Sequence, residues 1–434
     1  MPGQSTYDVA IIGGGASGLA AAVSAARAGQ RVAILERDVE MGLPILATGN
    51  GRCNLSNIDL DPVRYRHPDI ARTVMGEQPE AELAAFFDSL GLMTCEVDGR
   101  LYPYSKRADS VREALLMAAL RPGTKALTCT EVERAAYDES KGIWNLEVSR
   151  PAKPLPLPKK PLEFKALIRA QRKELRRAER ARETLFARRV IIACGGSSKH
   201  LAELFGLPHI PEEPVLCPVA CLPAQDSCPE GLRDSVLRWL DGLRVDCRLS
   251  LVRNGASIWT EDGEVLFRAY GLSGIVAFDL SRRCIPGDTV EIDLFPNYSE
   301  HELVALFARR AESFGDPENM AATWFTGLLD GDLSSHVANI AERTGGHTCA
   351  SYACTCKHLP FEVLGTTEHA SAQVCRGGIP FDAIDIPSMS VEPDIAPALS
   401  ACGEALDMDA DCGGYNLAWA WISGIRAASA SPAR

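Results

Sequence analysis

Three glycines near the start of the chain have the spacing and the neighbours of a dinucleotide-binding turn. Gly13, Gly15 and Gly18 lie between an apolar segment, Tyr7–Ile12, and an alanine-rich segment, Ala16–Ala28. In such a strand–turn–helix the first glycine allows a tight turn, the second lets a pyrophosphate approach the backbone, and the third lets helix and strand pack closely. The pyrophosphate then binds free N–H groups at the start of the helix, where the helix dipole favours negative charge.

An acidic residue follows the second apolar segment. Arg31–Leu35 has the composition of a parallel neighbour of the first strand, and Glu36 comes directly after it. An acid about 20 residues beyond the last glycine accepts the ribose hydroxyls of an adenosine and disfavours a 2′-phosphate. Strand, glycines, helix and acid in this order predict a dinucleotide-binding βαβ unit in an α/β fold. The alternative is a glycine-rich turn in a sheet that binds no nucleotide.

The far end of the chain favours FAD over NAD. An apolar segment ends in Cys402-Gly403-Glu404, and Gly413-Gly414-Tyr415-Asn416 precedes a segment rich in alanine and tryptophan. A carboxylate there would hold ribityl hydroxyls, and a second helix N-terminus would stabilise negative charge on a reduced flavin ring. A cofactor that contacts both ends of the chain is a long one, as FAD is.

Several longer strings are shared with a known family. They are Thr48-Gly49-Asn50-Gly51-Arg52-Cys53-Asn54, Leu101-Tyr102-Pro103-Tyr104-Ser105, Tyr270-Gly271-Leu272-Ser273-Gly274 and Gly413-Gly414-Tyr415-Asn416-Leu417. Through them the chain resembles the YhiN/BaiN family of flavoproteins. The resemblance implies a discontinuous Rossmann-type FAD-binding domain with an inserted β-barrel-like domain that carries a helical insert. We place the FAD-binding domain at 1–205 and 360–434, the β-rich insert at 206–300 and 346–359, and the helical insert at 301–345.

The resemblance also implies how FAD is held. Residues 49–54 pass near the isoalloxazine, Val132 contacts the adenine through its backbone, and Glu404 faces the ribityl chain. With the glycine motif included, the predicted FAD-binding residues are Gly13, Gly15, Ala16, Ser17, Gly18, Glu36, Arg37, Gly51, Arg52, Cys53, Asn54, Val132, Cys194, Gly195, Gly403, Glu404, Gly414, Tyr415, Asn416 and Leu417.

The activity implied by the resemblance is that of an FAD-dependent oxidoreductase. We expect NAD(P)H to reduce the flavin, which passes hydride to a C=C bond conjugated to a carbonyl group of a small hydrophobic substrate, a class that includes steroid- and bile-acid-like enones. The sequence has no second Gly-x-Gly-x-x-Gly, so the nicotinamide would visit the flavin transiently.

Such a reaction needs groups that polarise the carbonyl and supply a proton. The candidates are Arg52, Arg268 and Tyr270; Tyr270 and Tyr415 are equally well interpreted as structural tyrosines. Relatives have Thr-His where this chain has Arg268-Ala269, and Ala269 has no proton to donate. The substrate therefore does not follow from the resemblance.

Two other functions fit the same motifs. One is a flavin oxidase that takes hydride from an amine or alcohol and returns electrons to O₂. The other is a non-catalytic, flavin-bound redox-sensing module that docks a partner through a basic segment. Residues 153–189 contain 13 Lys/Arg and 4 Asp/Glu, so this segment carries +9 while the rest of the chain carries −21. The segment is either a solvated helical excursion held against the acidic body or a docking arm.

The cysteines and histidines suggest no metal site. Cys53 is either a reactive thiolate favoured by Arg52 or a thiol packed in a tight turn. Five further residues, His347, Cys349, Cys354, Cys356 and His358, match no standard zinc framework, and we predict ordinary thiols and surface histidines. The 15 cysteines include no Cys-x-x-Cys pair, which argues against a dithiol redox centre and for reduced thiols.

Length and composition indicate a globular protein of two or three domains. The net charge of −12 predicts no general attraction to nucleic acid or to an anionic membrane. The sequence has no apolar run long enough to span a bilayer and no signal-peptide pattern before Tyr7, so we expect a cytoplasmic location.

Overall fold

A computed structural model describes residues 6–158, 160–225, 228, 230–367 and 372–430, so Lys159 of the basic segment lies outside the described residues. The chain forms two compact units: Met1–Glu213 with Val374–Arg434, and Pro214–Gln373. We expected boundaries after residues 205 and 359, whereas the structure has them after 213 and 373. The second boundary is later because residues 359–366 form a strand that pairs within the second unit.

The elements are numbered in chain order. The strands are β1 (Tyr7–Ile12), β2 (Val32–Leu35), β3 (Ser56–Asn57), β4 (Thr94–Val97), β5 (Arg100–Pro103), β6 (Thr124–Leu127), β7 (Glu131–Asp138), β8 (Ile143–Pro151), β9 (Arg180–Ile192), β10 (Ile210–Val215), β11 (Val219–Pro223), β12 (Arg244–Arg253), β13 (Ala256–Arg268), β14 (Gly271–Ser273), β15 (Thr289–Asp293), β16 (Leu359–Thr366), β17 (Val374–Gly378), β18 (Ile384–Asp385), β19 (Ser390–Val391) and β20 (Leu399–Ala401). The α-helices are α1 (Ala16–Arg27), α2 (Pro68–Met75), α3 (Pro79–Ser89), α4 (Ala108–Ala119), α5 (Phe164–Leu175), α6 (Lys199–Phe205), α7 (Arg233–Leu240), α8 (Ile275–Ser281), α9 (Glu300–Phe314), α10 (Pro317–Met320), α11 (Gly331–Thr344), α12 (Cys349–Lys357) and α13 (Tyr415–Ser429).

A sheet with a parallel centre organises the first unit. Its central strands lie in the order β6-β2-β1-β9-β20 and run parallel. All of β2 and the last four residues of β1 are buried, as expected for apolar strands covered on both faces of a parallel sheet. This arrangement aligns the carboxyl ends of β1, β2, β9 and β20 at one edge of the sheet, where the predicted binding residues follow the strands.

Helices α1 and α13 pack closely against each other. A Cβ atom added at Gly424 would lie 2.4 Å from the carbonyl oxygen of Ser17, so only a glycine allows this approach of the two backbones. Trp421 of α13 is fully buried, and its indole N–H donates to the carbonyl of Leu55 at 2.9 Å. The C-terminal helix is therefore built into the core that surrounds the glycine turn.

The basic segment lies in the connection between two antiparallel strands. β8 pairs with β7 on one side and with the first part of β9 on the other, and β9 then continues alongside β1. The last part of β9 thus belongs to the parallel centre of the sheet, while its first part, from Arg180, pairs with β8. Helix α5 stands between β8 and β9 in sequence.

The second unit is a closed barrel with helices. Six strands pair in the order β11-β14-β13-β12-β15-β16, and β16 closes the ring on β11. Closure leaves no strand edge unpaired. Aromatic residues pack the helices of this unit together: the rings of Phe307 and Trp324 lie 5.2 Å apart, and those of Phe325 and Tyr352 lie 4.7 Å apart. These four residues share one buried core with the barrel strands. The predicted α/β architecture with an inserted barrel is confirmed.

Within the residues that the structure describes, no helix has the combined length and apolarity that crossing a bilayer requires.

Candidate dinucleotide-binding site

The three glycines of the first turn differ in the space around them. A Cβ atom would lie 2.2 Å from the carbonyl oxygen of Ala193 at Gly13, where φ is +114°, and 2.0 Å from the carbonyl oxygen of Gly13 at Gly18. The first and third glycines are therefore required by the fold. A Cβ atom at Gly15 would meet no atom within 4 Å. The open space beside Gly15 lies at the start of α1, which no side chain caps.

Glu36 holds the turn that follows β2. Its carboxylate accepts hydrogen bonds from the backbone N–H groups of Gly14 and Asp38, both at 2.8 Å. A carboxylate has about four acceptor positions, so Glu36 retains capacity for ribose hydroxyls. The next residue, Arg37, is exposed. Glu36 thus connects the glycine turn directly to the end of β2.

The backbone near Val132 lies beside the same turn. The N–H of Thr130 donates to the carbonyl of Glu36 at 2.8 Å, and the N–H of Cys129 donates to the carbonyl of Asp38 at 2.8 Å. Val132 is buried in β7, where the pairing with β8 shifts register. A ring nitrogen of His200 lies 3.3 Å from the Val132 carbonyl oxygen. The structure therefore brings Glu36 and Val132 to one region.

The loop at residues 48–54 is bent by left-handed backbone. Gly49, Asn50 and Cys53 have φ values of 54°, 54° and 58°. Cys53 is fully buried, and burial raises the pKa of its thiol to about 11 despite a hydrogen bond with Thr48. This geometry favours the interpretation of Cys53 as a packed thiol over that of a reactive thiolate. Gly51 lies between the bent positions, with φ of 82°.

Arg52 projects from this loop into solvent. Its guanidinium lies 5.8 Å from the ring centre of Tyr102, and it forms no ion pair with a described residue. Its charge therefore remains available to an oxygen of a ligand.

Asn54 has a buried acceptor without a partner. Its Oδ1 atom makes no hydrogen bond in the structure. A Cβ atom added at Gly414 would lie 2.9 Å from this oxygen and 2.5 Å from the carbonyl of Ser56. An unsatisfied buried acceptor costs about 1–3 kcal/mol, so the site is suited to a group that brings an N–H donor, as the pyrimidine edge of a flavin does.

Helix α13 begins beside that oxygen. Its N-cap, Gly414, has φ of +103° and leaves the first N–H groups without a side-chain cap. Tyr415 is buried and lies edge-on to Tyr65, with 6.0 Å between ring centres. The Asn416 amide bonds to both backbone groups of Ala410, at 2.9 and 2.8 Å. The side chains of Tyr415 and Asn416 are thus structural, and Leu417 follows on the helix, so a ligand meets the backbone here.

Glu404 is a partly buried acid at the end of β20. The N–H of Cys375 donates to it at 2.6 Å, and a Cβ atom at Gly196 would lie 2.7 Å from its Oε1. Burial raises the pKa of the Glu404 carboxyl to about 7, although the backbone N–H groups of Cys375 and Gly196 lower it. Burial thus favours the neutral form of Glu404, which can both donate and accept a hydrogen bond.

Two neighbouring segments complete the surroundings of Glu404. Gly195, with φ of +71°, has Glu404 Oε2 4.0 Å from the position of its missing Cβ, and burial raises the pKa of the adjacent Cys194 thiol to about 12. The missing Cβ of Gly403 would lie 2.5 Å from the Ser17 hydroxyl. Residues from β9, β20 and α1 therefore meet at one place.

A ladder of ion pairs fixes the segment before α13, and the sequence motifs do not predict it. Asp407, Asp409 and Asp411 alternate along the chain. Asp409 is 0% exposed and pairs with Arg376 at 2.9 Å. The other pairs are Asp407 with Arg66 at 3.6 Å and with His67 at 3.4 Å, and Asp411 with Arg64 at 3.6 Å. Burial opposes ionisation of Asp407, but the His67 hydrogen bond and the Arg66 charge hold its pKa below the usual value.

Two of the predicted catalytic residues belong to the second unit. Arg268 ends β13, and its Nε lies 3.1 Å from Asp241. Its guanidinium lies 6.0 Å from the ring centre of Tyr270, which is 44% exposed. The structure thus brings Arg268 and Tyr270 together within the barrel unit, while Arg52 belongs to the first unit.

The two histidines of the segment between His347 and His358 contact protein side chains. His347 Nδ1 lies 3.1 Å from the Tyr352 hydroxyl, and His358 pairs with Glu291 at 2.9 Å. In the described part of the chain, no three His, Cys, Asp or Glu side chains are grouped to hold a metal ion.

Comparisons with known proteins agree with this architecture. Residues 7–151 match the HI0933-like protein Rossmann domain, and residues 232–374 match the HI0933-like protein barrel and H2TH domain. The chain is 29% identical to the 3-dehydro-bile acid delta(4,6)-reductase of Clostridium scindens, over 98% of this chain and 99% of the relative. It is 24% identical to the ribosomal RNA dihydrouridine synthases of Haemophilus influenzae, over 95% of each chain, and of Escherichia coli, over 96% of each chain.

Proposed function

The chain belongs to the HI0933-like family, and from that premise we propose that it is an FAD-dependent reductase that uses NAD(P)H to saturate a C=C bond conjugated to a carbonyl group. One observation carries the proposal. The open glycine turn at Gly15 and the uncapped start of α13, with the unpartnered Asn54 oxygen beside it, are suited to the pyrophosphate and to the flavin end of one long, anionic cofactor.

Residues of the first unit are suited to successive parts of FAD, from the adenosine to the flavin. Val132 and Glu36 would hold the adenosine, and the N–H groups at the start of α1 would bind the pyrophosphate. Glu404 would hold the ribityl hydroxyls, and the Asn54 oxygen would accept from the pyrimidine edge. The positive end of the α13 dipole would favour negative charge on that edge.

When bound, the flavin supplies a hydride acceptor and donor, and the protein supplies charge and a proton. Arg52 and Arg268 are permanently charged and are suited to polarise a carbonyl oxygen. Tyr270, whose hydroxyl lies on an exposed side chain next to Arg268, is the proton donor in this proposal. Ala269 has no role in it.

The names of the relatives suggest two substrate classes. A bile-acid delta(4,6)-reductase and a dihydrouridine synthase both saturate a C=C bond conjugated to a carbonyl, the first in a steroid and the second in a uracil base. A small enone is the first candidate for this chain, because the bile-acid enzyme has the higher identity, and a uracil base in RNA is the second.

The experiment follows electrons through the purified protein without oxygen. NADH or NADPH reduces the flavin, and a 4-ene-3-oxo steroid or a uridine-containing RNA is then added. Return of the oxidised flavin spectrum with either substrate, and formation of the saturated product by mass spectrometry, supports the proposal. Fast reoxidation by O₂ with peroxide formed in equal amount, and none by either C=C substrate, would show an oxidase instead.

A further inference from the structure

Helix α5 is fixed to the body of the first unit along one side. Ile168 is buried in a small cluster with Val39 and Cys129, and Leu175 packs against that cluster. The Nε–H of Arg172 is shared between the two oxygens of the Asp38 carboxylate, at 3.0 and 3.1 Å, and Nη2 of Arg172 also donates to this carboxylate. Both features lie near the end of β2, so α5 has a defined position on the body.

The other side of α5 carries charge without partners. Five exposed basic residues lie along the helix and its C-terminal turn: Lys165, Arg169, Lys173, Arg176 and Arg177. Successive members are four, four, three and one residues apart. None of them forms an ion pair with a described residue. We call them the α5 cationic face. Steps of three and four place side chains on the same face of a helix. At about 1.5 Å per residue the face is about 18 Å long.

The cationic face contrasts with the rest of the molecule. The net charge of −12 predicts no general attraction to nucleic acid, but residues 153–189 carry +9 against −21 elsewhere. Neighbouring like charges on a helix destabilise it, and an anionic ligand would offset that cost. The local field at α5 is therefore opposite in sign to the molecular average.

We propose that the α5 cationic face binds the phosphate backbone of RNA. At a charge spacing of about 3.4 Å along one strand, a length of 18 Å carries about five phosphates, which equals the number of cations on the face. Three of the five are arginines, whose guanidinium binds phosphate through two parallel hydrogen bonds. Ile168 of α5 is buried against the body, and Phe164 at the start of the helix is 42% exposed. One exposed aromatic residue beside five cations is not the broad apolar face with which a helix binds a bilayer.

The inference goes beyond the proposed reaction, because backbone binding requires no flavin chemistry. It also differs from the cofactor site in its residues, since none of the five cations is among the predicted FAD-binding residues. An RNA held here would belong to the second substrate class named above.

The test uses fluorescence anisotropy of a labelled 20-nucleotide single-stranded RNA with the purified flavin-containing protein at several salt concentrations. The variant Arg169→Gln/Lys173→Gln/Arg177→Gln removes three charges of the face. The control Arg121→Gln/Lys125→Gln/Arg309→Gln also removes two arginines and one lysine, but from exposed positions outside α5. Glutamine is a good helix former, so α5 is kept.

For single-stranded RNA, each phosphate contact contributes about 0.7 to the steepness with which log K falls as log salt rises. Loss of three contacts therefore makes this slope shallower by about 2 and weakens the affinity at 0.1 M salt by about a hundredfold. We expect that loss in the α5 variant, less than threefold in the control, and unchanged flavin reduction by NADH in both. No RNA binding by the wild type, or equal losses in both variants, overturns the proposal. Tighter binding to a 20-residue polyglutamate or to phosphatidylserine vesicles than to RNA also overturns it, in favour of a protein or a membrane.

Discussion

The Oδ1 atom of Asn54 faces the N-cap of α13, and the missing Cβ of Gly414 would lie only 2.9 Å from it. The oxygen is buried and has no hydrogen-bond partner. Such an unsatisfied acceptor costs stability when no ligand is bound. We therefore expect a bound ligand to donate a hydrogen bond to it. This relationship links the loop at 48–54 to the C-terminal helix.

Replacing Asn54 separates binding from folding. In Asn54→Ala the unsatisfied acceptor is removed, so the apoprotein keeps or slightly gains stability, while FAD loses one hydrogen bond and about tenfold in affinity. Titration of apoprotein with FAD by fluorescence, beside thermal unfolding of the apoprotein, measures both. A destabilised apoprotein with unchanged FAD affinity would contradict the assigned role.

Gly15 is predicted to serve the cofactor and not the fold. A methyl group at Gly15 meets no protein atom within 4 Å and needs no unusual φ, but it would stand where the pyrophosphate approaches the backbone. Gly15→Ala should fold with wild-type stability and be purified without flavin. Gly331→Ala, which also has open space and an ordinary φ, is the control and should retain flavin. Retention of flavin by both variants would exclude a phosphate site at Gly15.

The raised pKa of Glu404 predicts a fall in apoprotein stability with rising pH. Its pKa is about 7 in the folded protein against 4.5 in an unfolded chain, so the unfolded state releases the proton first. Stability is therefore lost between about pH 4.5 and 7, and none of the loss is recovered above that range. Urea unfolding of the apoprotein at several pH values should show a smaller decline for Glu404→Gln. The exposed Glu392 offers a control, and Glu392→Gln should keep the wild-type decline.

The ladder before α13 predicts an unequal cost for two ion pairs. Arg376→Leu leaves the fully buried Asp409 carboxylate without its arginine and should cost about 3–5 kcal/mol in the free energy of unfolding. Arg72→Leu breaks an exposed pair with Asp69 and should cost at most about 1 kcal/mol. Chemical denaturation measures both. Similar small losses in the two variants would mean that the ladder does not fix the start of α13.

Tyr270 is predicted to donate the proton to the substrate. Tyr270→Phe should lower the rate of C=C reduction by about 10²–10⁴, while the rate of flavin reduction by NADH is unchanged. Tyr298 lies in the same unit and is 43% exposed against 44% for Tyr270, so Tyr298→Phe is a matched control. Wild-type C=C reduction by Tyr270→Phe would assign the proton to another group.

The sequence predicted the parts of the fold that depend on neighbours in the chain. The turn at Gly13, Gly15 and Gly18 is local, and its glycines have the close contacts and the open space that such a turn requires. The family strings predicted the insertion of a barrel, but not its closing strand. β16 belongs to the barrel because it pairs with β11 and β15. The amino-acid sequence of β16 alone does not predict which strands it pairs with.

The ion-pair ladder was missed for the same reason. Asp407, Asp409 and Asp411 alternate in sequence, which was the available signal, but their partners Arg64, Arg66 and Arg376 come from distant segments. The role of Asn416 also depends on contacts, since its amide holds Ala410. Local motifs predict the place of the site, while long-range pairs determine which side chains remain free for a ligand.

The most direct test of the account is an absorption spectrum of the purified protein, recorded without oxygen before and after addition of NADH. We predict flavin bands in the first spectrum and their bleaching in the second, with FAD released on denaturation. Flavin bands that NADH and NADPH leave unchanged would contradict the proposed electron donor. A protein that shows no flavin bands even after reconstitution with FAD would contradict the central claim that this chain is a flavoprotein.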